Sequence, residues 1–96
     1  MTHRAIEKEI VIQSKQGLHA RPAALFVQIA NKFDSDIFVI KDGEEVNGKS
    51  IMGILMLAAE KDTKVCLKAI GPDAKEAVIE LEKILLQEDQ DPFAPK

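Results

Sequence analysis

The sequence predicts an α+β fold, an open-faced β-sandwich in which one antiparallel sheet carries its helices on a single face. Three observations carry that prediction. Strand-like and helix-like segments follow one another in the order βαββαβα, Asp42-Gly43 stands between the second and third strands, and the connections are short. Asp-Gly supplies the positive φ angles of a tight hairpin turn, and short connections favour antiparallel pairing, because parallel strands need long crossovers.

Each element has its own signal. Residues 6–12 alternate as a strand, with Ile6, Ile10 and Ile12 on the face that should be core and Glu7, Glu9 and Val11 on the other. From Ala20 to Phe33, the apolar residues Phe26, Ile29, Ala30 and Phe33 recur at helical spacing, with Gln28, Asn31 and Lys32 toward water. Asp36 to Lys41 and Glu44 to Val46 flank the hairpin turn as strands. Ser50 to about Ala59 reads as a short, very apolar second helix. Lys64 to Ile70 is the last strand, with Val65, Leu67 and Ala69 on one face, and Gly71-Pro72 ends it. Asp73 with Glu76 forms a capping-box pattern, after which Ala77, Val78, Leu81, Ile84 and Leu85 trace a long amphipathic helix.

Composition narrows the function. Ninety-six residues, 46% of them hydrophobic, can bury one modest core, so residues 1–88 are read as one domain and 89–96, charged and holding Pro92 and Pro95, as a flexible tail. A net charge of −3 without a basic cluster excludes a general nucleic-acid binder. The first residues carry charge where a signal peptide needs an apolar core, and no segment is long enough to span a bilayer, so a cytoplasmic protein is expected. Cys66 stands alone, without a partner for a disulfide or a metal site, and reads as a small apolar residue. Neither Trp nor Tyr occurs, and of the four phenylalanines Phe26, Phe33 and Phe38 are expected in the core.

The chemistry concentrates in Gly17-Leu18-His19-Ala20-Arg21-Pro22-Ala23-Ala24. Pro22 is tolerated only in a first helical turn, so His19 falls at or near an N-cap. Unpaired N–H groups and the positive end of the helix dipole favour an anion there, and Arg21 adds a permanent, forked cation suited to phosphoryl oxygens. Gly17 permits a turn that a side chain would obstruct. Taken singly, a histidine at such a place is an ordinary loop residue; Gly, His, Arg and Pro in this order ahead of an apolar helix are not. His3 lies in a charged segment with no motif and is given no role.

This tract resembles the active-site tract of the HPr family, the small phosphocarriers of the sugar phosphotransferase system. A second tract, Lys49-Ser50-Ile51-Met52-Gly53-Ile54-Leu55, resembles the regulatory-serine helix of HPr proteins that are substrates of HPr kinase/phosphatase, and the two stand at family spacing. The resemblance implies a sheet of order 1-4-2-3 with three helices on one face. It implies that His19 accepts a phosphoryl group at Nδ1 from phosphorylated Enzyme I and passes it to EIIA domains, that Arg21 balances phosphoryl charge, and that Ser50 is the regulatory site. It also implies partner contacts at Ala24, Gln28, Lys49, Ile51, Met52 and Leu55, no metal or organic cofactor, and a monomer. Asp62 stands in a turn where many relatives place glycine, a position that Asp tolerates better than most residues.

Other readings compete. Within the family stands a nitrogen-branch or purely regulatory paralogue that moves no sugar. Outside it stand an adaptor domain with an unused histidine and a nucleotide binder. Gly43-Glu44-Glu45-Val46-Asn47-Gly48-Lys49-Ser50 satisfies the phosphate-loop pattern G-x-x-x-x-G-K-[ST]. Against it, Glu44 and Glu45 would bring carboxylates to the phosphates, Asp42-Gly43 reads as a hairpin turn, and no strand ends in an Asp suited to Mg²⁺. Ser50 before an apolar helix is also a good N-cap, whatever else it does.

Overall fold

The computed structural model describes residues 5–13, 17–18, 20–57 and 59–86. The elements are β1 (Ala5–Val11), α1 (Ala20–Ala30), β2 (Asp36–Lys41), β3 (Glu44–Asn47), α2 (Ile51–Met56), β4 (Lys64–Ile70) and α3 (Ala74–Leu86). One four-stranded antiparallel sheet has the order β1-β4-β2-β3. Its inner face presents Ile10, Ile37, Val39, Val65, Leu67 and Ala69 to the helices, which add Phe26, Ile54, Leu81 and Leu85 to one core. The faces expected for β1 and β4 are the faces observed. Lys8 interrupts the apolar alternation of β1, and because β1 is an edge strand its ammonium escapes over the rim to Glu82 of α3 at 3.3 Å.

The turns follow backbone chemistry. Asp42 and Gly43 take φ of 51° and 81°, the positive pair of a two-residue hairpin, and Asp62 takes φ of 69° in the turn before β4. Around that turn Ile12 and Asp62 extend the β1–β4 pairing: Asp62 N–H donates to the Ile12 carbonyl and Ile12 N–H to the Thr63 carbonyl, each at 2.9 Å.

Several expectations need correction. The first helix ends at Ala30, not Phe33: the Lys32 and Phe33 amides donate to carbonyls three residues back, so the chain tightens out of the α-helix while Phe33 still packs against the core. The second helix ends at Met56, with Leu57 as C-cap, short of Ala59. Phe38 is not core. It points to the open face of the sheet, beneath the Lys68 ammonium, which lies 5.2 Å from the ring centroid. Asp73 does not cap α3 through a capping box. Its carboxylate turns to the α1–β2 connection, accepting from Asp34 N–H at 2.9 Å, Ser35 N–H at 2.9 Å and the Ser35 hydroxyl. The expected tail, residues 89–96, lies outside the described residues.

Candidate functional site

The site is built where the chain enters α1. Gly17 is buried with φ of 71°, and a Cβ placed on it would meet the Ala59 carbonyl oxygen at 2.5 Å. Leu18 N–H donates to that same carbonyl at 2.7 Å, so the approach to α1 is pinned to the segment that leads into β4. Only glycine combines this backbone with so close a contact. α1 then begins at Ala20, the residue after His19 in the chain. His19 and His3 both lie outside the described residues.

The first turn of α1 suits an anion. It contains no acidic residue, Pro22 sits inside it, and Arg21 is exposed there. Arg21, Ala24, Leu25 and Gln28 follow at helical spacing i, i+3, i+4 and i+7, which places them on one stripe. Gln28 is exposed, Ala24 half-buried, and Leu25 is an exposed apolar residue that the sequence reading had not singled out.

Ser50 is the N-cap of α2. Its Oγ accepts from Gly53 N–H at 3.2 Å with the extended φ/ψ of −112° and 117° that an N-cap takes. Beyond it the helix buries Ile54, its C-cap Leu57 is buried too, and Ile51 (40%), Met52 (63%), Leu55 (37%) and Met56 (71%) are left exposed. A six-residue helix that is apolar nearly all round cannot do otherwise, and the three residues expected on its outer side are there. Met56 was missed, although its place one turn after Met52 was the signal that could have found it.

Lys49 takes a different place from the one its neighbours suggest. Its ammonium turns inward and donates to the Phe33 carbonyl at 2.7 Å. That disposes of the phosphate loop. Glu44–Asn47 is a strand paired with β2, Gly48 is packed with its Cα against Ile37, where a Cβ would lie 2.6 Å from Cγ2, and the cation the motif needs is engaged elsewhere. Among the described residues no group of three or more His, Cys, Asp or Glu is placed to hold a metal ion, and no helix is long and apolar enough to cross a membrane.

An open-faced sandwich of this strand order, with an arginine in an acid-free helix start and a serine capping a helix that leaves apolar side chains exposed, defines a small α+β domain. The profile of one protein family, described as "PTS HPr component phosphorylation site", matches residues 6–87. HPr-like protein Crh of Bacillus subtilis is 48% identical over 83 residues, 86% of this chain and 98% of that one. The phosphocarrier protein HPr of Bacillus anthracis, as a solved structure, superposes with a TM-score of 0.81 at 47% identity, covering 84% of this chain and 96% of that one. The crystal structure of the Bacillus subtilis catabolite repression protein Crh, described as a dimer with a swapping domain, gives a TM-score of 0.68 at 49% identity, covering 83% and 92%. The chain belongs to the HPr family of phosphocarrier proteins of the phosphotransferase system.

Proposed function

We propose that the protein carries a phosphoryl group on His19, taken from phosphorylated Enzyme I and delivered to EIIA-type domains in the cytoplasm. Nδ1 of the imidazole forms the new N–P bond as the bond to the donor breaks, and the same exchange in reverse sense passes the group on. The observation that carries this reading is the start of α1: a helix of 11 residues that begins directly after His19, with Arg21 exposed and no carboxylate in its first turn. Phosphoryl oxygens there would meet helix N–H groups and a guanidinium, with no acidic residue in the same turn. Replacing Arg21 by Glu is expected to slow transfer from Enzyme I well over tenfold with an unchanged circular dichroism spectrum, since loss of such a transition-state donor costs about 2.7 kcal/mol or more. An unchanged rate would remove Arg21 from the mechanism.

Ser50 is the regulatory site in this reading, phosphorylated by HPr kinase/phosphatase, and Ile51, Met52, Leu55 and Met56 with Leu25 form the surface that meets partners. Two negative charges placed beside that apolar surface must be desolvated by any partner that covers it, so the effect falls on docking. A purely regulatory role is the second reading, favoured by the 48% identity with Crh. His19 is what supports the carrier reading over it: a protein acting only through Ser50 has no use for the histidine tract. The same relatives include a dimer, so the monomer is proposed for the phosphotransfer form and sedimentation velocity tests it.

A further inference from the structure

Lys49 precedes Ser50, and each of its polar groups is bound within the chain. Its N–H donates to Asn47 Oδ1 at 2.9 Å, its carbonyl accepts from Asn31 Nδ2 at 3.3 Å, and its ammonium donates to the Phe33 carbonyl at 2.7 Å. Two of those three partners stand in the tightened turn that follows α1. Asn31 Nδ2 also donates to the Val27 carbonyl at 2.8 Å, so one amide bridges the last turn of α1 and the Lys49 peptide. α1 has no basic residue in its last turn, and Lys49 brings a positive charge to that end from outside the helix. The other polar group of the same peptide, the Ser50 amide, donates to the Asn47 carbonyl at 3.1 Å, and on the C-terminal side the Ser50 hydroxyl oxygen holds Gly53 N–H. The serine is therefore fixed from both directions, and on its N-terminal side the local bonds to Asn47 are joined by two from the turn after α1, through Asn31 and Phe33.

Resting on the reading that Ser50 is the site of a kinase, we propose that Asn31 and Lys49 are positioning residues for that reaction: together they hold the Lys49–Ser50 peptide against the end of α1, so that Oγ is presented in one geometry. In the transfer, Oγ forms a bond to the γ-phosphorus of ATP as the bond to ADP breaks, and the hydroxyl proton passes to a base of the kinase. Neither Asn31 nor Lys49 touches the reacting atoms. Their effect is on the fraction of time Oγ stands where the phosphorus can be reached, and in-line displacement is sensitive to misplacement on the order of 1 Å.

Three variants separate positioning from contact. Lys49→Met keeps the stem and removes the ammonium, Asn31→Asp keeps the shape but turns the donor into a carboxylate oxygen facing the Lys49 and Val27 carbonyls, and Lys49→Arg keeps a donor for the Phe33 carbonyl. With ATP and HPr kinase/phosphatase, Lys49→Met, which loses one net hydrogen bond, is expected to lower kcat for Ser50 phosphorylation about two- to tenfold, and Asn31→Asp, which loses two, by at least as much, with KM held within about twofold in both, while Lys49→Arg retains most of the rate. Amide exchange at Ser50 and Gly53 should quicken in the same two variants while Val39 and Leu67 exchange as in the parent. Transfer from Enzyme I to Asn31→Asp should stay within about twofold of the parent rate. A raised KM at unchanged kcat would make Lys49 a kinase contact and overturn the proposal; so would equal kcat in all variants, or faster exchange that reaches Val39 and Leu67. A parent chain that takes no label overturns the regulatory reading itself, whereas a labelled parent matched by its variants overturns only the positioning.

Discussion

Hydrogen bonds from the Ser35 hydroxyl and from the Asp34 and Ser35 amides hold the Asp73 carboxyl below its ordinary pKa, the serine hydroxyl contributing most. The folded value is the lower one, so this contribution to stability is complete above the unfolded carboxyl's pKa of 3.8 and is lost as pH falls through the folded value. Asp73→Asn should therefore melt below the parent at neutral pH, and the two Tm values should converge as pH is taken toward about 2. None of this was legible in the sequence: Asp73 with Glu76 looked like a local capping box, and its partners stand 38 and 39 residues away. Cys66 is a second case. It lies in β4, as its sequence context predicts, yet it faces the open side of the sheet, where partial burial and then the charges of Glu7 and Glu9 push its thiol pKa up. At neutral pH Cys66 should react with iodoacetamide more slowly than free cysteine, and Glu9→Gln should quicken it; a rate at or above that of free cysteine would contradict this environment. Gly48 stands in the sequence as a glycine of the phosphate-loop pattern, whereas its use is packing, for which a lone glycine between a strand and a helix carries no signal. With Ile37 Cγ2 at 2.6 Å from a Cβ built there, Gly48→Ala should cost about 1–3 kcal/mol, measurable by urea denaturation.

At the scale of elements, periodicity placed all seven and misjudged mainly their ends. Phe33 and Ala59 continue an apolar pattern that predicts helix, but each reaches the core from a connection: Phe33, partly buried, from a tightened turn, and Ala59, buried, from the segment to which Leu18 is tied. Residue spacing does not distinguish a helix that buries a side chain from a turn that does the same. The cap at Ser50 was legible, because serine before an apolar run has one favourable local use, and the structure makes that use of it. Ser50→Ala should lose about 0.5–2 kcal/mol, while Ser50→Asp, whose carboxylate accepts from the same Gly53 amide, should melt at or above the parent and yet be phosphorylated by Enzyme I more slowly. Parent-like transfer by Ser50→Asp, together with no labelling of the native chain by HPr kinase, would confine Ser50 to capping. Met56→Ser should leave stability within about 0.5 kcal/mol because the side chain is exposed, and should weaken docking of Enzyme I through the surface it extends.

At the scale of the whole molecule, alternation and turn chemistry dictated an antiparallel sheet with helices on one side, but not which strands touch. The order β1-β4-β2-β3 came from family resemblance, since pairing the first strand with the last depends on contacts more than 50 residues apart. Distance in sequence also hides the link between the two chemical tracts: α1 begins directly after His19 in the chain and is followed by Asn31 and Phe33, which hold Lys49 and through it Ser50. The phosphate-loop pattern, in contrast, was complete in the sequence and is absent in space, because its middle is a paired strand and its lysine is engaged. What the molecule does turns on His19, and one measurement addresses it directly: incubation with phosphoenolpyruvate and a cognate Enzyme I, followed by quantification of bound phosphate and its acid stability. The account predicts a single acid-labile phosphate per chain, absent in His19→Ala; label that persists in His19→Ala, or that maps to His3, would contradict it.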